Sequence, residues 1–362
     1  MVTTAGPVPA VLTVDLQALA ENYRTVSAQA PRARVAGVLK ANAYGLGVEP
    51  VARRLAREGC REFFVSSLPE GLELRALVPQ ATVYVLEGGA GAARDCRLAG
   101  LVPVLNTPDE LRHWVREADG APAALQVDTG MTRAGLDLRE LEEVCAHGAP
   151  AAFRPVLLLT HLACADDVRH PLNAEQLSRF ARACRYFPGV PTSIGNSAGI
   201  WLGEAYHGDV VRPGIALYGG RPQASGPSPV RPVVRLTARV LQLRRLRENA
   251  AVGYGATACL PAGAWVATLG AGYADGLPRA LGNRGAAFLN GRRVPIVGRV
   301  SMDLITLDVT ALGENGCAVG EEAELIGADM PLELVAEAAE TVGYEILTQL
   351  SARLPRRYLG GF

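Results

Sequence analysis

Eight short apolar runs alternate with helix-patterned segments through the first two-thirds of the chain, and no other feature constrains the fold as tightly. The runs fall at 35–40, 62–66, 82–86, 102–105, 124–127, 155–161, 192–195 and 210–212. Helical spacing falls between them at 50–57, 68–77, 91–99, 108–117, 138–146, 174–186 and 197–204. A further helix at 15–29 precedes the first run, with Leu16, Leu19, Tyr23 and Val26 on one face. Such alternation predicts a parallel sheet, and eight strands are the number that closes a barrel. After about residue 236 the pattern changes to β-like runs at 236–243, 265–269, 293–297 and 304–309, separated by Gly and Pro turns and closed by a helix at 332–341. The expected fold is α/β, a (β/α)8 TIM barrel followed by a β-rich C-terminal domain. The expected division is 12–236 for the barrel and 237–362, with residues 1–11, for the second domain, joined by the Gly-, Pro- and Ser-rich stretch 219–230.

Composition narrows the function classes. Lys plus Arg and Asp plus Glu both number 36, so the formal net charge is zero. A neutral chain offers no electrostatic footprint for nucleic acid or an anionic membrane. Residues 1–10 lack the basic and apolar segments of a secretory signal, and no apolar run is long enough to span a bilayer. The seven cysteines are scattered and odd in number, with no paired spacing. They read as reduced thiols rather than a disulfide framework or a zinc site, so a cytoplasmic location is expected and no metal.

Barrel chemistry sits at the carboxyl ends of the strands. Lys40 ends the first run, Asp128 follows the fifth, His161 ends the sixth, Asn196 and Ser197 follow the seventh, and Arg212 ends the eighth. A lysine closing an apolar strand is desolvated there, which lowers its pKa and frees the amine as nucleophile or base. Strand-end lysines also reach into solvent, so Lys40 alone leaves both readings open.

The residues after Lys40 add a resemblance. Lys-Ala-Asn-Ala-Tyr-Gly-Leu-Gly at 40–47 resembles the cofactor-lysine signature of the alanine racemase family, fold-type III enzymes that use pyridoxal phosphate. Further pieces similar to that family follow in order along nearly the whole chain. They are Val-Asp-Thr-Gly-Met-Thr-Arg-Ala-Gly at 127–135, Thr-His-Leu-Ala-Cys-Ala-Asp at 160–166, Asn-Ser-Ala at 196–198 and Val-Arg-Pro-Gly-Ile-Ala-Leu-Tyr-Gly at 211–219. The last third adds Val-Gly-Tyr-Gly-Ala-Thr at 252–257, Gly-Tyr-Ala-Asp-Gly at 272–276, Gly-Arg-Val-Ser-Met-Asp at 298–303, Gly-Tyr-Glu-Ile at 343–346 and Arg-Leu-Pro-Arg at 353–356.

The resemblance implies racemisation of alanine, supplying D-alanine for peptidoglycan, by a homodimer whose active sites are shared across the interface. Lys40 would carry the cofactor as a Schiff base and act as one base. Tyr254, from the partner subunit, would be the other. Two bases on opposite faces remove a proton from one side and return it to the other without turning the substrate over. A phenol is a weak base at neutral pH, so His161 and Arg212 are implied to assist it. Arg212 would face the pyridine nitrogen and His161 the cofactor ring. Tyr44, Asn196, Ser197, Tyr344 and the main chain of Gly214 and Ile215 would complete the cofactor site. Arg133 and the Met302 N–H would meet the substrate carboxylate, and Tyr273, Asp303, Arg299, Asp166 and Arg279 would line a narrow entry passage. Read without the resemblance, Tyr254 is a turn tyrosine, His161 a core histidine, Arg212 a salt-bridge arginine and Ser197 a helix N-cap.

One position departs from the family. Many members carry a carbamylated lysine two residues before the aspartate of Asp-Thr-Gly-Met, and its negative charge orients the arginine that Arg133 resembles. Here that position is Gln126, which holds no charge. A small anion such as chloride beside Gln126 is the expected replacement. The alternatives are a broader racemase acting on serine, lysine or arginine, a fold-type III decarboxylase, and a non-catalytic pyridoxal phosphate carrier. The last two fit the Tyr254 and Ser-Met-Asp motifs less well.

Overall fold

The computed structural model describes residues 8–88, 93–117, 120–148 and 153–361. The first two residues of the expected 91–99 helix, and residues 1–7 of the N-terminal segment, lie outside that range. Among the described residues the chain forms two compact units. One comprises 8–18, Tyr44–Leu46 and 232–361; the other comprises Leu19–Ala43 and Gly47–Arg231.

The second unit is a closed parallel barrel. Strand Gly37–Val38 pairs with Glu62–Val65, and the ladder continues through Thr82–Val85, Val102–Leu105, Ala124–Gln126, Leu157–Leu159 and Thr192–Ser193, every step parallel. Arg34–Val35 pairs with Val210–Val211, the eighth strand. The Arg212 N–H donates to the Gly195 carbonyl at 2.8 Å, which ties the eighth strand to the seventh and closes the ring. These strands read as unbroken apolar runs because both faces are covered. Phe63, Phe64, Val65, Val83 and Val85 are all fully buried. Burying each such side chain contributes about 1.5–3 kcal/mol.

Helices Leu68–Leu77, Pro108–Glu117 and Leu138–Ala146 fall where the spacing placed them. The segment 197–204 does not form the expected helix. It forms two short 3-10 turns, Gly199–Leu202 and Glu204–Tyr206, because Gly203 at φ 115 breaks the chain between them.

The first unit is β-rich. Its axis is the twelve-residue strand Val234–Arg245, which pairs antiparallel with Ala10–Asp15, Glu322–Ile326 and Trp265–Leu269. Ala10–Asp15 also pairs in parallel with Arg356–Leu359. Ala286–Leu289 and Arg292–Pro295 form a hairpin whose Asn290–Gly291 turn has φ 47 and 80, the pair of positive values a tight primed turn needs.

Candidate active site

Lys40 follows Leu39 at the carboxyl end of the first barrel strand, where the Leu39 N–H donates to the Phe64 carbonyl at 2.8 Å. The lysine is half-buried. Burial lowers its amine pKa, and the positive charge of Arg133 lowers it further; Glu70 and Glu87 oppose both. Behind Lys40 the backbone turns left-handed. Ala41, Asn42, Ala43 and Tyr44 all have φ between 53 and 55. An L-residue in that region costs about 1–2 kcal/mol, so a run of four persists only if its surroundings over-determine it. Several bonds do so. The Ala41 N–H donates to Glu70 Oε1 at 2.7 Å, the Ala43 N–H to the Leu39 carbonyl at 2.9 Å, and Asn42 Oδ1 accepts the Val48 N–H at 2.7 Å.

Arg212 ends the eighth strand, 5% exposed. Its guanidinium donates to Ser193 Oγ, to the Thr160 carbonyl at 2.6 Å, and from Nη2 toward His161 Nδ1 at 3.4 Å. Burial pulls Arg212 down to about 10, which leaves it charged at neutral pH. Burial pulls His161 down to about 3, helped by the charges of Arg212, Arg133 and Lys40, so its imidazole is neutral at pH 7. Arginine has no acceptor, so Nδ1 must be the accepting nitrogen and Nε2 the protonated one. Asn196 Nδ2 stands 3.5 Å from Nε2 and donates to the Leu162 carbonyl at 3.2 Å.

Ser197 does not cap a helix of its own. Its buried Oγ accepts the N–H groups of Gly214 at 2.9 Å and Ala216 at 3.2 Å, leaving its own hydroxyl proton to donate elsewhere. Ile215 lies buried between them. Arg133 is exposed on a loop held at its base by Asp128, whose Oδ1 accepts the Gly130 and Met131 N–H groups. Gln126 donates from Nε2 to the Ala134 carbonyl at 2.9 Å, so it grips the Arg133 loop through its backbone. Asp166 is exposed.

The β-rich unit carries the other expected residues. Tyr254 is 72% exposed between Gly253 and Gly255, whose φ values are 73 and 74. A Cβ on Gly255 would stand 3.1 Å from the Arg299 guanidinium, so the turn lies against Arg299. Met302 and Tyr273 are also exposed. They share one substructure, because the Tyr273 N–H donates to the Ser301 carbonyl and the Ala274 N–H to the Met302 carbonyl. Arg353 joins it by donating from Nη2 to Asp303 at 2.7 Å and to the buried Asp275 carboxylate. Tyr44 and Tyr344 stand with ring centroids 6.0 Å apart. Arg279 is exposed at the start of a short 3-10 turn. Glu70, Thr160, Ser193, Asp275 and Arg353 were assigned no role from sequence. Their signal is long-range hydrogen bonding, which no local pattern announces.

Two family models match this chain. The alanine racemase N-terminal domain matches residues 14–222 and the alanine racemase C-terminal domain matches 233–358. The chain belongs to the alanine racemase family. It is 50% identical to the alanine racemase of Rhodospirillum rubrum over 97% of this chain and 96% of that relative. It is 45% identical to a catabolic alanine racemase of Agrobacterium fabrum, over 98% of this chain and 93% of the relative. Among solved structures, the Bartonella henselae alanine racemase with covalently bound pyridoxal phosphate superposes with a TM-score of 0.93 at 38% identity, over 98% of this chain and all of that one. The biosynthetic enzyme of Pseudomonas aeruginosa gives 0.91 at 35% identity, with 98% and 100% covered.

Proposed function

We propose that this protein is an alanine racemase that holds pyridoxal phosphate at Lys40 and moves the substrate α-proton between Lys40 on one face and Tyr254 of a partner subunit on the other. The observation that carries the reading is the group of strand-end residues at the barrel rim. There an amine with a lowered pKa stands near a neutral His161 braced by a buried cationic Arg212. These residues fit the cofactor. A lysine amine suits an aldehyde, a fixed guanidinium suits a ring nitrogen, and a hydroxyl beside main-chain N–H groups suits a phosphate. When bound, pyridoxal phosphate supplies the electron sink for the charge left on the α-carbon.

The chain's own groups do the rest. Nζ of Lys40 exchanges a proton with the α-carbon, and the Tyr254 phenol does so from the opposite side. Arg212, which cannot release its proton readily, holds the ring nitrogen without protonating it, and His161 packs against the ring. His161 and Arg212 also lead hydrogen bonds toward the phenol. Tyr44, Asn196, Ser197, Tyr344, Gly214 and Ile215 hold the rest of the cofactor. Arg133 and the Met302 N–H orient the substrate carboxylate. Tyr273, Asp303, Arg299, Asp166 and Arg279 restrict entry to small amino acids. The exposure of Tyr254, Met302 and Tyr273 supports their serving a second copy, since apolar groups grouped at a surface commonly meet a partner. We infer that the barrel and the β-rich domain work as a cytoplasmic homodimer that supplies D-alanine for peptidoglycan. Among the described residues no helix is long and apolar enough to cross a membrane.

Gln126 bears on substrate range and on Arg133. A chloride between the Gln126 amide and Arg133 replaces the missing charge in this reading. Chloride-independent activity with no anion in a crystal at that position would end that part of it. The main test is exchange of the α-proton of each alanine enantiomer in heavy water, alongside a panel of L-amino acids. The parent is expected to exchange both alanines and to show a visible band on adding pyridoxal phosphate. Lys40→Ala is expected to lose both properties, and its retaining them would sink the assignment.

A further inference from the structure

The Glu70 carboxylate joins two neighbouring strand ends. Oε1 accepts the Ala41 N–H at 2.7 Å, and Oε2 accepts the Ser66 N–H at 2.7 Å and the Ser67 N–H at 3.4 Å. Glu70 lies in the first turn of helix Leu68–Leu77, where a glutamate ordinarily reaches back to the start of its own helix. One oxygen does that. The other is spent 29 residues away on the first residue of the left-handed turn. That oxygen adds nothing to capping, and the residue it holds is the direct neighbour of Lys40.

The turn needs such an anchor. Four successive non-glycine residues at φ 53–55 would relax toward the right-handed region if unheld. Their release would swing the Lys40 Cα–Cβ direction, and with it the amine. Asn42 fixes the far end of the turn through Val48, and Glu70 fixes the near end.

We propose that Glu70 is a positioning residue: it pins the left-handed turn at Ala41 and so aims the Lys40 amine at the barrel mouth. The inference rests on the reading of Lys40 given above. Glu70 and Glu87 also favour the charged amine, against burial and Arg133, so Glu70 moderates how far the amine is deprotonated. Of the other groups at this rim, His161 stays neutral and Arg212 stays charged.

Glu70→Gln tests this. An amide has one acceptor oxygen, so either Ala41 or Ser66 must face an NH2 group. In the cofactor-free protein, hydrogen exchange at Ala41 and Ala43 is expected to quicken at least tenfold, with the barrel strands unchanged. The pH midpoint of Lys40 labelling by an amine-reactive acylating reagent, read by peptide mass spectrometry, is expected to fall. Glu87→Gln removes a charge near Lys40 without touching Ala41, so it should lower the midpoint and leave the exchange as in the parent. Exchange at Ala41 within twofold of the parent in Glu70→Gln overturns the proposal. So does a uniform quickening across helix Leu68–Leu77 and the strands, which marks a capping role alone. If Glu70→Gln does not fold, Glu70→Asp, one methylene short of Ala41, is judged by the same exchange criterion. Both readouts use protein without cofactor. A parent that shows no visible band with pyridoxal phosphate therefore counts against the proposed function and not against this role of Glu70.

Discussion

Arg353 grips the buried carboxylate of Asp275 with two donors, Nε to Oδ1 at 2.8 Å and Nη2 to Oδ2 at 3.0 Å. The same carboxylate accepts the Gly272 N–H at 2.9 Å, so one acidic side chain fixes the start of the loop that carries Tyr273.

Replacing that carboxylate should be felt. Asp275→Ala leaves the Gly272 N–H without its acceptor and the Arg353 guanidinium with Asp303 alone, and the loss of charge-assisted hydrogen bonds is expected to cost about 2–3 kcal/mol in stability. Denaturant titration measures it. Asp275→Asn, which keeps an acceptor, should cost less.

The pH dependence has a definite sign. His161 is depressed to about 3, so between that value and its unfolded value of about 6.5 the unfolded chain binds a proton the folded chain does not. Stability from this residue is therefore intact above about pH 6.5 and falls as the pH is lowered toward 3, by roughly 1.4 kcal/mol per unit at most. Imidazole NMR should show no titration of His161 above pH 5 in the parent. Its midpoint should rise in Arg212→Gln, which removes a facing positive charge, and burial should keep it below the ordinary histidine value.

Gly45 and Gly59 separate strain from collision. Both have positive φ, 82 and 96. A Cβ on Gly45 would lie 2.5 Å from the Leu347 carbonyl oxygen, whereas one on Gly59 meets nothing within 4 Å. Gly59→Ala is expected to cost about 1 kcal/mol and Gly45→Ala at least about 2 kcal/mol more, because a backbone atom cannot step aside. Paired thermal melts decide it.

Tyr254 should matter to chemistry and not to folding. Its exposure predicts that Tyr254→Phe changes stability by less than about 0.5 kcal/mol. Loss of the general base proposed at Tyr254 predicts a rate fall of about 10²–10⁴-fold. Steady-state racemisation beside a denaturation curve tests both at once.

Much of the barrel was legible because its strands are covered on both faces. Phe63, Phe64 and Val65 form a continuous apolar run, and the polar residues that end the strands, Lys40, His161 and Arg212, are visible against it. The β-rich unit was harder to read. Ala10–Asp15 alternates buried and half-buried residues over six positions, and the strand it pairs with starts at Val234, so nothing nearby in sequence marks it. Glu322–Ile326 and Arg356–Leu359 were missed for the same reason, whereas Ala286–Leu289 was missed although its hairpin partner Arg292–Pro295 is close by. The left-handed turn had little sequence signal, since Asn42 alone tolerates that region while Ala41, Ala43 and Tyr44 favour the right-handed one. Glu70 announced itself only as an acidic first-turn residue. Its second oxygen became informative once Ala41 was seen beside it.

Ala10–Asp15 is flanked by Val234–Arg245 and Arg356–Leu359. A ribosome delivers this strand before any strand of the parallel ring and both of its neighbours only after the whole ring has emerged. The ring can therefore complete itself during synthesis. The sheet stays open until Arg356–Leu359 arrives, and Ala10–Asp15 waits with its pairing groups unmet until Val234–Arg245 follows the ring.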